Sequence, residues 1–224
     1  MRFDDVKSFY LSVTGDNRKK QMESVSNAID KYFNFSEINC IETGASQSLD
    51  DGCFGLYLAK MCEITRGSFI SVDLDENIVE KSKEIYEKYI PRLSVGHHVS
   101  DSVSFLQSYE GSPNLVHLDS CDLDINNPVP AMLHGWLEFE AIKDKMPSGS
   151  LILIDDNFLK GTVVYWDTYY DGKFNHREEI PIKYDIVGKG ALVYHWCKLP
   201  HTDWNLIEDD LVVGSNNKII VKKR

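Results

Sequence analysis

Apolar residues along the chain fall into short unbroken runs separated by longer, periodically apolar segments. Met22, Val25, Ala28, Ile29 and Phe33 recur at the spacing that gathers side chains on one helix face, which predicts a helix over 16–33 with Asp16 as its N-cap. The runs INCIET, SFISVDLD, SVGHHVS, NLVHLDS and SLILIDDN read as strands. Between them, helices are predicted over 50–62, 76–89, 102–108 and 131–145. Pro91 follows one of these helices, and Met146-Pro147-Ser148-Gly149 closes another. Strand and helix alternate five times, and continuous rather than alternating apolar runs belong to a parallel sheet covered on both faces.

The pattern changes after residue 157. In VVYWDTYYDGKFNHREE, Asp171-Gly172 stands between two polar-aromatic runs, which signals a two-residue hairpin turn. In the last stretch, two strand-like runs flank Gly214-Ser215-Asn216-Asn217 and predict a second hairpin. Five βα units closed by an antiparallel pair account for the chain. At 224 residues, with no repeat and no Gly/Ser linker, it is read as one domain over 1–224. That domain carries an N-terminal helical segment over about 1–35 and a hairpin insertion over about 161–183.

Composition removes several function classes. No apolar run approaches the ~20 residues that cross a bilayer. The N-terminus lacks the apolar core and cleavage site of a secretory signal, so a cytoplasmic protein with no membrane partner is expected. A formal net charge of -11 counts against a nucleic-acid partner, because phosphate binding relies on clustered Lys and Arg. Cys40, Cys53, Cys62, Cys121 and Cys197 are odd in number and form no Cys-x-x-Cys pair, which disfavours zinc and a disulfide framework. Homo-oligomerisation has no signal in the sequence.

Ligands of an open α/β sheet bind at the carboxyl ends of its strands. Those ends carry Glu42, Gly44, Ser46 and Ser48; Asp73 and Asp75; Ser100, Asp101 and Ser102; Asp119 and Asp122; and Asp155, Asp156 and Asn157. The first turn, IETGASQS, lacks the lysine of a P-loop. It also lacks the second and third glycines of a dinucleotide fingerprint, where Ser46 and Leu49 stand. A ligand without phosphates is less demanding of that backbone. Glu42, Gly44 and Ser46 suit a charged amino-acid tail, Asp73 a ribose diol, and Asp101 with Ser102 an adenine edge. S-adenosylmethionine combines these groups.

Through IETGAS, ISVDLD, HVSDSVSFL, VHLDS and MPSGSLILIDDN in order, the chain resembles class I S-adenosylmethionine-dependent methyltransferases over roughly residues 35 to 160. The resemblance implies a Rossmann-like, doubly wound, mostly parallel seven-stranded sheet with an antiparallel last strand. Asp119 with Asp156-Asn157 is similar to the metal site of the catechol O-methyltransferase-like branch, which implies Mg²⁺ and methylation of an oxygen on a small-molecule acceptor. Oxygen-only ligands suit such a hard cation. The chain departs from that branch at the base, where Asp122 replaces a lysine; Asp122 and His134 are the candidate bases. Asp119 and Asp156 as a turn-stabilising pair without metal is the competing reading. For the whole chain, the alternatives are a non-catalytic Rossmann-like binding module and a nicotinamide-dependent oxidoreductase or epimerase.

Overall fold

A computed structural model describes residues 3–15, 19–49, 53–170, 173–207 and 217–224. Two helices, α1 (Asp4–Thr14) and α2 (Lys19–Tyr32), precede the sheet. Both lie within the helical segment expected over about 1–35, where only the second was given bounds as a helix, and the predicted cap Asp16 lies outside the described residues. Five parallel strands follow: β1 (Cys40–Thr43), β2 (Phe69–Asp73), β3 (Val95–Val99), β4 (Leu115–Leu118) and β5 (Leu151–Leu159). The first four lead into α3 (Phe54–Thr65), α4 (Glu76–Tyr89), α5 (Ser102–Ser108) and α6 (Val129–Ile142). After β5 the chain forms the ribbon β6 (Val163–Tyr170) and β7 (Lys173–Pro181), then β8 (Ile186–Gly188), α7 (Ala191–Cys197), β9 (Trp204–Leu206) and β10 (Asn217–Lys223).

The main sheet has the order β3-β2-β1-β4-β5-β10-β9, with β10 antiparallel to both neighbours. The short β8 pairs antiparallel with the end of β5, so among the described residues the sheet holds eight strands where seven were expected. In the ribbon, Tyr170 pairs with Lys173, as a two-residue turn requires; that turn, at 171–172, lies outside the described residues. The antiparallel pair β9–β10 is present, while 214–216 of its predicted turn also lie outside them.

Side chains alternate across the strands and build two cores. On one face Cys40, Phe69, Leu115, Leu151 and Ile220 pack under α1, α2 and α3. On the other Ile41, Val72, Val116, Ile152 and Ile219 pack under α5, α6 and α7, where Trp136, Trp196, Trp204 and Phe139 meet edge to face or tilted. His97 and His98 face opposite sides, against Tyr86 and Phe105 respectively. Among the described residues, Cys40, Cys53, Cys62 and Cys197 are buried and Cys121 is exposed. No helix among them is long and apolar enough to cross a membrane.

Towards the carboxyl ends of the strands, the first face turns from apolar to charged. Ser71 lies opposite Glu42, Glu42 opposite His117, and Lys218 precedes the residue paired with Ile154, which brings it beside Asp155. Ser71, Glu42, His117, Asp155 and Lys218 are all buried. Glu42 accepts from Ser71 Oγ (3.0 Å) and Tyr86 OH (2.8 Å). Lys218 Nζ forms an ion pair with Asp155 and donates to His117 Nε2 at 2.9 Å, so the proton of a neutral His117 sits on Nδ1, facing Glu42. Burial and then Lys218 hold the His117 pKa below its ordinary value. Burial alone would raise the Asp155 pKa, but Lys218 and His117 overcome it and hold it below the usual carboxylate range.

Removing one partner of a buried ion pair strands the other. Lys218→Met is expected to lower stability by about 3–5 kcal/mol at neutral pH, measured by chemical denaturation. The wild-type contribution of Asp155, whose pKa is depressed on folding, is full above pH ~4 and is lost as pH falls through the folded value. Without Lys218, burial raises that folded pKa instead, so the deficit of the variant should narrow on acidification from the raised value down to about pH 4, and further below about pH 4 as the wild type loses its own contribution.

Candidate active site

The chain winds outward from β1 to β3 and then returns to β4, so the strand order reverses between β1 and β4. A cavity of about 630 Å³ opens there, above the carboxyl ends of the parallel strands. Ten of the eleven residues predicted for the site line it: Glu42, Gly44, Ser46, Asp73, Asp101, Ser102, Asp119, Asp122, His134 and Asp156. Asn157 does not.

The first turn explains its single glycine. Gly44 has φ +79°, donates its N–H to Val72 O (2.9 Å), and a Cβ there would lie 2.4 Å from Asp119 O. Glycine is required because the backbone ending β4 crosses it, rather than because a ligand presses on it. Asp73 then joins two turns: its Oδ2 accepts from Ala45 N and its Oδ1 from Asp75 N, each at 2.9 Å. The carboxylate is thus fixed at the cavity rim by the backbone of both strand ends. Asp101 caps α5 by accepting from Ser104 N at 2.8 Å, a bond that holds its pKa below the ordinary value. Glu42 forms the floor and is 1% exposed.

His134 projects from α6 into a small polar cluster. Its Nε2 lies 2.8 Å from Ser120 Oγ and 3.0 Å from Ser102 Oγ. Ser120 Oγ donates to Glu138 Oε1 at 2.6 Å. Because that bond uses the only hydroxyl proton of Ser120, His134 donates through Nε2 and keeps its lone pair on Nδ1. Burial raises the Glu138 pKa, opposed by the Ser120 bond and by His134. Asp122 stands exposed at the mouth of the same cavity.

The acids at the ends of β4 and β5 are already matched by a cation. Lys189 Nζ lies 2.7 Å from Asp119 Oδ1 and 2.8 Å from Asp156 Oδ2, and donates to Asp119 O at 3.1 Å. Burial disfavours the ammonium, but Asp119 and then Asp156 overcome this and hold its pKa above the ordinary lysine value. For Asp119, burial followed by the nearby Asp155 raises the pKa, against the two lysines. Asn157 is fully buried; its Nδ2 donates to Ile154 O and Asp155 O, and its Oδ1 accepts from Gly190 N. The carboxamide ties β5 to the start of α7 and does not face the cavity. The residues therefore do not fit the Mg²⁺ site that Asp119, Asp156 and Asn157 were expected to form: one ligand is turned into the fold, and an ammonium bridges the other two.

Lys189, Ser120, Glu138, His117 and Lys218 were not anticipated as site residues. A lysine between two glycines, directly after an apolar run in DIVGKGAL, was the available signal for Lys189. A histidine inside the buried strand NLVHLDS was the signal for His117.

No family model matches the chain, and no curated protein matches its sequence. Solved structures match its fold. An S-adenosylmethionine-dependent methyltransferase from Clostridium acetobutylicum ATCC 824 aligns over 99% of this chain and 98% of its own, with a TM-score of 0.55 and 12% identity. A Streptococcus mutans protein assigned as a methyltransferase, in complex with SAH, aligns over 91% and 98%, with a TM-score of 0.55 and 11% identity. An rRNA methylase from Streptococcus thermophilus aligns over 89% and 96%, with a TM-score of 0.51 and 10% identity. The chain has the Rossmann-like fold of class I methyltransferases. At these identities the likeness is one of fold.

Gly44→Ala would place a side chain in the left-handed region and against the β4 backbone. The variant should lose about 2 kcal/mol or more in chemical denaturation, where an alanine at an open, negative-φ turn position changes little.

Proposed function

We propose that the protein is an S-adenosylmethionine-dependent methyltransferase acting on an oxygen of a small molecule. One observation carries this reading: a single cavity at the switch point of the sheet gathers Glu42, Gly44, Ser46, Asp73, Asp101 and Ser102. Asp73 presents a fixed carboxylate to a ribose diol, and Asp101 with Ser102 flanks the space for an adenine. The cavity lining includes seven carboxylates and one lysine, an environment that favours a sulfonium over a diphosphate. The same acidity, with the net charge of -11, supports an acceptor lacking a phosphate backbone, although rRNA methylases share the fold.

In the proposed step the acceptor O–H gives its proton to a base, the O–C bond forms as the C–S bond breaks, and the electron pair of that bond passes to sulfur. The products are a methyl ether or ester, a neutral thioether and a protonated base. His134, with its Nδ1 lone pair oriented by Ser102 and Ser120, is the first candidate for that base; Asp122 at the mouth is the second. The remaining barrier is lowered by holding oxygen, methyl carbon and sulfur in line. No part of this step runs through a divalent ion.

Calorimetric titration with S-adenosylmethionine, S-adenosylhomocysteine and NAD tests the reading. Both adenosyl ligands should bind and NAD should not, and Asp73→Ala should weaken S-adenosylhomocysteine at least about tenfold. Tighter binding of NAD would overturn the proposal, and binding of none of the three would favour the non-catalytic module. Once an acceptor is identified, His134→Asn should lower kcat by about 10²-fold or more while leaving donor affinity nearly unchanged; a loss confined to Asp122→Asn would assign the base there.

A further inference from the structure

We infer that the Lys189 ammonium is the resident cation of the acidic end of β4 and β5, standing where the resemblance places a divalent metal, so that the cavity works without one. The binding half of this inference stands on geometry alone; its catalytic half rests on the methyltransferase reading.

An ammonium has three protons, and three oxygens of Asp119 and Asp156 surround this one at 2.7 to 3.1 Å. Mg²⁺ requires near-octahedral oxygens at about 2.0–2.1 Å, a shell that the arrangement does not offer while the lysine is in place. The lysine is also the deepest member of the group. Its side chain is 3% exposed, against 32% for Asp119 and 26% for Asp156, so the ammonium lies behind the carboxylates as seen from the cavity.

The backbone that delivers Lys189 is fixed on every side. Its own N–H donates to Asp156 O at 3.3 Å, and the next N–H, of Gly190, donates to Asn157 Oδ1 at 2.8 Å. Gly188 has φ +142°, and a Cβ there would lie 2.0 Å from Asp156 O. A Cβ on Gly135 of α6 would lie 2.4 Å from Lys189 O, so that helix presses on the lysine from behind. Asp156 itself is held at φ +53°, a conformation a non-glycine residue keeps only where its surroundings enforce it. A lysine on a mobile tether would need none of these constraints.

The second metal-like group of the cavity is filled in the same way. His117, Asp119 and Asp155 have ligand atoms within 4.8 Å of one another. Lys218 contacts two of these residues and Lys189 the third. A divalent ion would have to displace a buried ammonium at either position. Lys189 is thus a positioning residue: it keeps two neighbouring carboxylates neutralised and aligned beside the acceptor space.

Mn²⁺ binding, read by electron paramagnetic resonance of the free ion, tests the inference on the full chain. Wild-type protein should take up no stoichiometric Mn²⁺ at millimolar concentrations. Lys189→Met keeps the aliphatic stem, removes the charge, and should bind one Mn²⁺ at least tenfold more tightly than wild type; adding Asp119→Asn should abolish that gain. Lys189→Arg should behave like wild type. Stoichiometric Mn²⁺ binding by wild type that Asp119→Asn abolishes would overturn the inference, and this measurement needs no Lys189 variant to fold. A folded Lys189→Met that binds no Mn²⁺ would overturn it as well. Titration of the same samples with S-adenosylhomocysteine separates the two proposals, since failure to bind that ligand sinks the methyltransferase reading and leaves the Mn²⁺ result standing.

Discussion

Parallel strands that end in carboxylates at a common edge create a concentration of like charge, and this fold must neutralise it to exist. Glu42, Asp119, Asp155 and Asp156 crowd the crest of three adjacent strands, two of them almost wholly shielded from water. Lys189 and Lys218, both delivered by the last sixth of the chain, supply the opposing charge. The closing strands β8 and β10 therefore do more than complete hydrogen bonding at β5. They bring the cations without which the ends of β4 and β5 would repel. Burial makes these pairs obligatory rather than optional, because either partner left alone is costly.

Elements set by local pattern were legible in the sequence. Apolar runs and helical periodicity located the five parallel strands and the helices between them, and strand ends located nine of the ten predicted residues that line the cavity, His134 of α6 being the tenth. What was not legible depends on distance along the chain. Lys189 meets Asp119 across 70 residues, and Lys218 meets His117 across 101. No spacing rule connects such pairs, so an acidic set that matched a metal site in composition was filled by a lysine the pattern had not singled out. Asn157 shows the same limit on a smaller scale. Its neighbour Asp156 lines the cavity, yet the bulged end of β5 turns the Asn157 carboxamide inward to Gly190. Gly44 stands in the turn after β1, as the pattern placed it, but the close approach it permits is to the backbone after β4, which sequence alone does not place there. The three-residue β8 was missed because a strand so short carries too few positions to show a period.

The neutralising contacts also integrate the two halves of the cavity. On the β1–β2 side, Asp73 locks two backbone turns at the cavity rim. On the β4–β5 side, Lys189 locks two carboxylates. Between them, Ser102 and Ser120 connect α5 to the turn after β4 through His134. Rotamers along the wall are thus constrained by hydrogen bonds from neighbouring elements, so the polar groups that face the cavity are preorganised.

The ribbon β6–β7 leaves the sheet immediately after the end of β5 and returns through β8, one residue before Lys189. Its base is packed by a small cluster of Ile125, Val164, Ile182 and Val187, and the Lys189–Asp156 pair clasps its two roots together. The ribbon is consequently anchored at the cavity wall. Because Asp156 and Lys189 stand on either side of the ribbon in the chain, the seating of its base and the geometry of that ion pair are set together.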